Sequence, residues 1–272
     1  MPDVTINGVR LNYELHGESG PPLVLIHGYT GDITDFRLQL PAFSPSYRIL
    51  IIDLRGHGGS EAPTDRSCYS IDQFAADVEA FVDEIGFSHY HLLGHSMGGA
   101  VVQEIALRSP ERLLSLTLFS TTDDFSVAGS NGPLQVWRDY RNKVAEEQGM
   151  EALSKLESPF PPPPHMPVER SEEMKARMAK MSVDSFIGSW NGLTTWQGTN
   201  GARSAGIKAP TLVIYGELDT GFLVEGAKSL AKNIPNARLS RIPEAAHQSQ
   251  WERPEVFNAA LGAFLNVISG ER

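Results

Sequence analysis

The sequence predicts an α/β protein with a mostly parallel, eight-stranded sheet flanked by helices and with an inserted helical cap. Short, almost continuously apolar runs alternate with segments of helical periodicity, which is typical of parallel strands covered by helices on both faces. The chain of 272 residues is long enough for one such unit. The connection between the run that ends near Ser120 and the run that begins at Thr211 is far longer than a crossover needs, and it predicts the cap.

The strands are predicted in chain order from their apolar residues. Alternating apolar residues on both sides of Asn7-Gly8 predict an antiparallel hairpin at the start of the chain. The parallel strands are predicted from the apolar runs at residues 23–26, 49–52, 91–93, 113–119 and 211–215, and a further short strand at residues 237–242.

Three helices have recognisable start or stop signals. The capping-box pattern from Ser70 to Gln73 precedes apolar residues at helical spacing and predicts a crossover helix. A second helix is predicted from Met97 to about Ser109, where Pro110 ends it. The last helix is predicted over about residues 254–268, with a proline at its favourable first turn.

The predicted division places the cap at residues 123–206 and the core domain at residues 1–122 and 207–272. Within the cap, the proline-rich residues 158–167 predict a polyproline-like connector. Beyond it, Met174, Met178 and Met181 recur at helical spacing and mark one apolar face. That face either packs on the core domain or lines a substrate cavity.

Charge and cysteine content restrict the partners and the compartment. The formal net charge is −10, which repels phosphate backbones and anionic membrane surfaces, so neither nucleic acid nor a membrane is an expected partner. The start of the chain lacks the basic and apolar regions of a signal peptide, and Cys68 is the only cysteine. We expect a cytoplasmic protein that acts on a small molecule, and a homodimer remains open.

A nucleophile motif lies between a predicted strand and a predicted helix. Residues 94–98 read Gly-His-Ser-Met-Gly and fit the pattern G-x-S-x-G. In a nucleophile elbow the serine backbone is strained, and flanking residues must be nearly free of side chain for the chain to pass. Gly94 and Gly98 meet that need, so Ser96 is the predicted nucleophile.

Across essentially the whole chain these features resemble the α/β-hydrolase family. Residues 27–31, after a predicted strand, look like that family's oxyanion loop, which implies that the backbone N–H groups of Tyr29 and Met97 stabilise the oxyanion. Residues 53–60 are similar to its D-x-R-G-x-G-x-S turn, which implies a structural role for His57.

The same resemblance implies that an acid and a base follow the serine in chain order. Asp219 comes just after the predicted strand at residues 211–215, where open α/β sheets place functional groups, and it is the predicted acid. Asp123 and Asp124, after an earlier strand, are the alternatives. His247, between a short strand and the last helix, matches the family's loop histidine and is the predicted base.

No metal or other cofactor is expected. His89 and His91 could share one strand face, but a third ligand for a metal ion is not evident. His95 is expected to point away from the nucleophile because of the geometry of the turn.

Serine in the elbow indicates acyl transfer, since family members with aspartate there open epoxides or displace halide. The predicted function is therefore hydrolysis of carboxylic esters or lactones of small, largely apolar substrates through an acyl-enzyme. Trp190 and Trp196 in the cap are the predicted substrate contacts, although tryptophans are as often packing residues.

Two alternatives remain open. Residues 247–258 look like the tail of the meta-cleavage-product hydrolases, which break C–C bonds and need a cation for the substrate carboxylate. Arg170, Arg177 and Arg203 could supply that charge, but each is expected to be solvated. A ligand receptor built on a hydrolase fold is the second alternative.

Overall fold

The structure is a computed structural model that describes residues 4–129, 133–159 and 162–270. Within these ranges the strands are β1 (Val4–Ile6), β2 (Val9–Leu11), β3 (Tyr13–His16), β4 (Pro22–Ile26), β5 (Arg48–Ile52), β6 (Tyr90–His95), β7 (Leu113–Phe119), β8 (Thr211–Gly216) and β9 (Arg238–Ile242). The helices are α1 (Leu40–Phe43), α2 (Ile71–Glu84), α3 (Met97–Arg108), α4 (Ser126–Gly129), α5 (Pro133–Ser154), α6 (Val168–Lys180), α7 (Val183–Thr194), α8 (Gly221–Asn233), α9 (Ser249–Glu252) and α10 (Pro254–Gly270). Short 3-10 segments lie at Ile33–Phe36, Arg66–Tyr69, Pro110–Arg112 and Ser204–Gly206.

The central sheet has the order β3-β5-β4-β6-β7-β8-β9 and is parallel except for the edge strand β3. The mostly parallel sheet flanked by helices is confirmed. Among the described residues, however, this sheet contains seven strands rather than the predicted eight, because β1 and β2 form a separate two-stranded sheet. The break falls at Asn12, whose backbone N–H donates to Ser60 Oγ at 2.9 Å and whose side-chain amide donates to Asp53 at 2.7 Å.

The local signals have the predicted consequences. The hairpin turns at Asn7 and Gly8, which both have positive φ, and pairs Val4 with Leu11. Ser70 caps α2, since its Oγ accepts the N–H of Gln73 at 3.1 Å. The side chain of Gln73 does not complete a capping box, because it donates to Asp77 at 3.0 Å.

Apolar side chains pack on both faces of the sheet. Successive residues of β4 point to opposite faces, so that Val24 and Ile26 join the cluster beneath α2 and α3, while Leu23 and Leu25 join the cluster beneath α1 and α10. All four side chains are almost fully buried. The sheet is therefore a rigid platform, and its strand ends carry the candidate site.

Helices α4 to α7 lie between β7 and β8, where the sequence predicts the cap. The α5 helix is kinked at Gly149, which has φ +85°. Met178 and Met181 pack against an apolar cluster formed by α5 and α7. Met174 and Met178 also line a cavity. Of the proline-rich connector, residues 160 and 161 lie outside the described ranges. None of the described helices combines the length with the apolar composition that a membrane span requires.

Candidate active site

Ser96 lies on the sharp turn between β6 and α3. Its backbone has φ 51° and ψ −115°, a conformation that costs a non-glycine residue about 1–3 kcal/mol. The Ser96 N–H donates to the carbonyl of Phe119 at 2.9 Å, and Thr121 Oγ1 donates to the carbonyl of Ser96 at 2.8 Å. The neighbouring strand β7 and the residues after it therefore hold the strained serine in place.

The glycines on either side of Ser96 leave no space for a side chain. A Cβ atom at Gly94 would lie 2.2 Å from the carbonyl oxygen of Gly98. A Cβ atom at Gly98 would lie 2.5 Å from the carbonyl oxygens of Ile26 and His27. The elbow thus requires glycine at both positions, as the motif predicts.

The structure brings His247 and Asp219 together. His247 Nδ1 lies 3.1 Å from Asp219 Oδ2 and 3.2 Å from Oδ1, and the N–H of Thr220 donates to Oδ1 at 2.7 Å. The alternative acids lie elsewhere. Asp123 accepts a hydrogen bond from Ser229 Oγ at 2.7 Å, and Asp124 accepts one from the N–H at the start of α4.

Each member of this pair shifts the pKa of the other. Burial alone would raise the pKa of Asp219, but the positive charge of protonated His247 and its hydrogen bond outweigh burial and lower that pKa. Burial alone would lower the pKa of His247, but the negative charge of Asp219 and its hydrogen bond raise that pKa above its ordinary value. Asp219 therefore stays ionised, and His247 is a stronger base than a free histidine.

Glu252 holds the loop that carries His247. The side chain is buried, and its carboxylate accepts the N–H of Ala246 at 2.9 Å and the N–H of Gln248 at 3.1 Å. Burial raises the pKa of Glu252. No motif in the sequence assigns a role to Glu252. The available signal was an acidic residue five positions after the predicted base, in a short helix that faces the loop.

His95 supports the same loop from another side. Its Nε2 lies 2.9 Å from the carbonyl oxygen of His247, and because a carbonyl only accepts, Nε2 carries the hydrogen. The ring centroids of His95 and His247 are 4.7 Å apart. Burial lowers the pKa of His95 to about 3, so the ring is neutral. His95 was expected to point away from the nucleophile, but it contacts the predicted base and lines the same cavity as Ser96.

The predicted oxyanion loop lies against the elbow. The buried His27 fixes its start, because Nδ1 contacts the carbonyl of Gly28 at 2.8 Å and Nε2 accepts the N–H of Leu54 at 3.0 Å. A Cβ atom at Gly28 would lie 3.0 Å from the Cβ of Ser96. Tyr29, the next residue, donates its hydroxyl to the carbonyl of Phe186 at 2.9 Å. Met97 is the first residue of α3, so its N–H has no intrahelical acceptor.

A cavity of about 330 Å³, the acyl cavity, is lined by Ser96, Asp219 and His247. Its remaining wall is largely apolar, and Trp190 is part of it together with Phe125, Leu134, Leu193, Phe222 and Leu223. Trp196 is not part of this wall. Its indole N–H donates to Glu104 at 2.7 Å and its ring packs near Phe125, so the prediction that Trp196 contacts substrate is corrected to a packing role.

A second cavity of about 360 Å³, the methionine cavity, adjoins the first. The two share Thr30, Met174, His247 and Gln248. The rest of its wall comes from the helices and loops between β7 and β8, namely Arg141, Pro163, Met166, Ser171, Lys175 and Met178.

The prediction that Arg170 and Arg177 are solvated is wrong. The Arg170 side chain is 1% exposed, pairs with Asp35 and stacks on Trp251 at 4.4 Å. Arg177 is 12% exposed and pairs with Asp32 at 3.0 Å and with Asp35 at 2.5 Å. These two carboxylates lie in the segment after the predicted oxyanion loop, so largely buried ion pairs attach α6 to that segment.

Arg203, the third arginine predicted to be solvated, is about half exposed and pairs with Glu104 at 3.0 Å. All three arginines proposed for a substrate carboxylate therefore have a carboxylate of the protein as partner. Among the described residues, no group of three His, Cys, Asp or Glu side chains is arranged to hold a metal ion.

Comparison with known proteins gives consistent matches. A family described as the alpha/beta hydrolase fold matches residues 21–254. The chain is 31% identical to the dihydrolipoyllysine-residue acetyltransferase component of the acetoin cleaving system of Pseudomonas putida, over 93% of this chain and 65% of that protein. Among solved structures, an enol-lactonase from Burkholderia xenovorans has a TM-score of 0.82 at 27% identity, over 97% of this chain and 100% of that chain. A hydrolase from Pseudomonas aeruginosa has a TM-score of 0.84 at 30% identity, over 97% of both chains.

Proposed function

The chain belongs to the α/β-hydrolase fold family, and we propose that it is a serine hydrolase that cleaves carboxylic esters or lactones of small, largely apolar substrates. The observation that carries this proposal is the position of the elbow serine, Ser96, on the same cavity as the hydrogen-bonded pair of His247 and Asp219. The likeness to an enol-lactonase structure supports the same chemistry.

In the first half of the reaction, Ser96 is acylated. Asp219 accepts the Nδ1 hydrogen of His247, so that Nε2 is the ring nitrogen that takes the proton from Ser96 Oγ. The Oγ attacks the carbonyl carbon, and the backbone N–H groups of Tyr29 and Met97 stabilise the negative oxygen. The positive end of the α3 dipole adds to this field.

To complete acylation, His247 passes its proton to the leaving oxygen as the C–O bond breaks, which leaves the acyl group on Ser96. In the second half, the acyl group is released to water. His247 removes a proton from water, and the resulting hydroxide attacks the acyl carbon. Collapse of this intermediate returns the proton to Ser96 and releases the acid.

The acyl group occupies the acyl cavity, where Trp190 and the apolar side chains around it exclude water. In this proposal residues 123–206 form the cap and the remainder forms the core, because α5 to α7 supply Leu134, Met174, Trp190 and Leu193 to the wall. An apolar acyl group is preferred since most of that wall cannot donate or accept hydrogen bonds.

Ester or lactone hydrolysis is favoured over C–C cleavage. An alcohol leaves directly once His247 protonates it, whereas a carbanion leaves only after the substrate has been ketonised. The three arginines that could have supplied a charge for a substrate carboxylate, although they were expected to be solvated, are paired with Asp32, Asp35 and Glu104.

Labelling with a fluorophosphonate tests the nucleophile. We expect one adduct per chain, on the peptide that contains Ser96, and no adduct in Ser96→Ala. Ser189→Ala is the matched control, since this serine is also buried but lines neither cavity. Ser96→Ala should lower kcat for p-nitrophenyl acetate by about 10⁴. Repeated turnover in the wild type separates a hydrolase from a receptor, and activity of Ser96→Ala within tenfold of wild type contradicts the proposal.

A further inference from the structure

The methionine cavity lies where a leaving group has to lie. It contacts His247 and Gln248, and neither Ser96 nor Asp219 is part of its wall. In acyl transfer the histidine gives its proton to the leaving oxygen, so the leaving group must be beside the histidine and away from the acyl pocket. If the acyl cavity holds the acyl group, the methionine cavity holds the alcohol portion.

Arg141 is unusual among the arginines of α5 and α6, because no carboxylate of the described residues pairs with it. Its guanidinium donates to Met178 Sδ at 3.1 Å and lies 5.0 Å above the ring of Phe186. Burial lowers the pKa of Arg141, and no carboxylate opposes that effect. By contrast Arg138, one turn earlier, pairs with Asp139 at 2.8 Å.

Arg141 is partly buried, and a cation that has lost much of its water is normally matched by an anion, because its desolvation is otherwise uncompensated. Among the described residues, the partners of Arg141 are a thioether and an aromatic face, yet Arg141 lines the wall of the methionine cavity. Lys175 also lines this cavity, but it is half exposed and pairs with Glu172 at 2.9 Å. No carboxylate of the described residues therefore matches Arg141, and the cavity that Arg141 lines is large enough to hold one.

We infer that the methionine cavity binds a leaving group that carries a carboxylate, and that Arg141 receives this carboxylate. A planar guanidinium suits a carboxylate because it can donate two parallel hydrogen bonds. The walls from Met166, Met174 and Met178 suit an apolar skeleton between the ester oxygen and the acid. The inference rests on the proposed function and names its substrates as esters with an acidic, largely apolar alcohol portion.

Two esters of equal shape test the inference. 4-Acetoxybenzoate carries the carboxylate, and 4-acetoxybenzamide replaces it with a neutral amide. We expect the wild type to favour the acid at least tenfold in kcat/KM. Arg141→Met should lose that preference through a higher KM for the acid, with the amide changed less than threefold. Arg141→Lys should restore part of the preference, and Arg138→Met, the matched control with a paired arginine, should retain it.

A binding measurement separates this inference from the proposed function. Calorimetry with 4-hydroxybenzoate should show binding to the wild type that Arg141→Met weakens at least tenfold. The neutral 4-hydroxybenzamide should bind the wild type and Arg141→Met with equal affinity. This outcome does not require turnover, so it stands if hydrolysis fails. Equal kcat/KM for the two esters in the wild type, or equal losses on both in Arg141→Met, shows that Arg141 only packs and overturns the inference.

A dienoic diketo acid, the substrate of the alternative C–C hydrolase, also carries a carboxylate that Arg141 could bind. If Arg141→Met abolishes turnover of that acid while both acetoxy esters remain poor substrates, Arg141 is still the carboxylate site. The ester chemistry of the proposed function is then wrong.

Discussion

Replacing Glu252 by glutamine removes one of the two hydrogen bonds that hold the loop of the predicted base, His247. The carboxylate accepts one N–H on each side of His247, from Ala246 and from Gln248. An amide has one accepting oxygen, and its NH₂ group would face the other N–H. A hydrogen bond to a charged group contributes about 1.5–3 kcal/mol. If the lost hydrogen-bond energy is needed to hold the imidazole of His247 in its catalytic position, kcat falls about ten- to a hundredfold.

The global stability should change much less than kcat. The carboxylate of Glu252 is buried, and burial raises its pKa because the charged form is desolvated. The neutral amide avoids this cost, which offsets the lost hydrogen bond. We therefore expect the melting temperature of Glu252→Gln to stay within about 3 °C of wild type.

The pH dependence of kcat/KM distinguishes an electrostatic role of Glu252 from a merely structural one, because a structural role would leave the pH profile unchanged. The negative charge of Glu252 contributes to the raised pKa of His247. The base works only when deprotonated, so kcat/KM rises with pH through that pKa. Removing the charge lowers the pKa, and the acid limb of the profile should move to lower pH in Glu252→Gln.

The assay is the pH profile of kcat and KM with a chromogenic ester, together with thermal unfolding. Glu255→Gln is the matched control, because this glutamate is exposed at the start of α10. Its profile should equal that of the wild type. Activity of Glu252→Gln within threefold of wild type with an unshifted acid limb refutes the reasoning.

The remaining predictions concern the acid and the bond that is cleaved. Asp219→Asn should lower kcat by about 10⁴ because the amide no longer selects the His247 tautomer, while Asp123→Asn and Asp124→Asn should stay within about tenfold of wild type. If Asp123→Asn or Asp124→Asn lowers kcat severely and Asp219→Asn does not, the catalytic acid is one of the two aspartates after β7. In kcat/KM, short and medium acyl esters or lactones should exceed a dienoic diketo acid by at least about tenfold, as only the latter needs a carbanion leaving group. The opposite ranking in the same assay favours C–C hydrolysis.

Features that depend on a few neighbouring residues could be predicted from the sequence. The elbow at Ser96 requires two glycines within two positions of the serine, and both are needed in the structure because a Cβ would meet backbone atoms. The turn at Asn7-Gly8 and the cap at Ser70 are local in the same sense. The pairing of Asp219 with His247 was within reach because each residue follows a recognisable strand.

Features that depend on which distant side chains meet were decided only by the tertiary structure. Arg170 is buried because Asp35, 135 positions away in the chain, reaches it, and Trp196 packs because Glu104, 92 positions away, accepts its indole N–H. In the part of the chain that the structure describes, the central sheet has seven strands because Asn12 bonds to Asp53 and Ser60 in a distant turn. By itself the sequence determined the strand and helix pattern, the elbow and the chain order of serine, acid and base. Burial and pairing of polar side chains depend on three-dimensional partners that no local pattern specifies. The fold alone therefore decided which arginine of α5 and α6 has no carboxylate partner among the described residues.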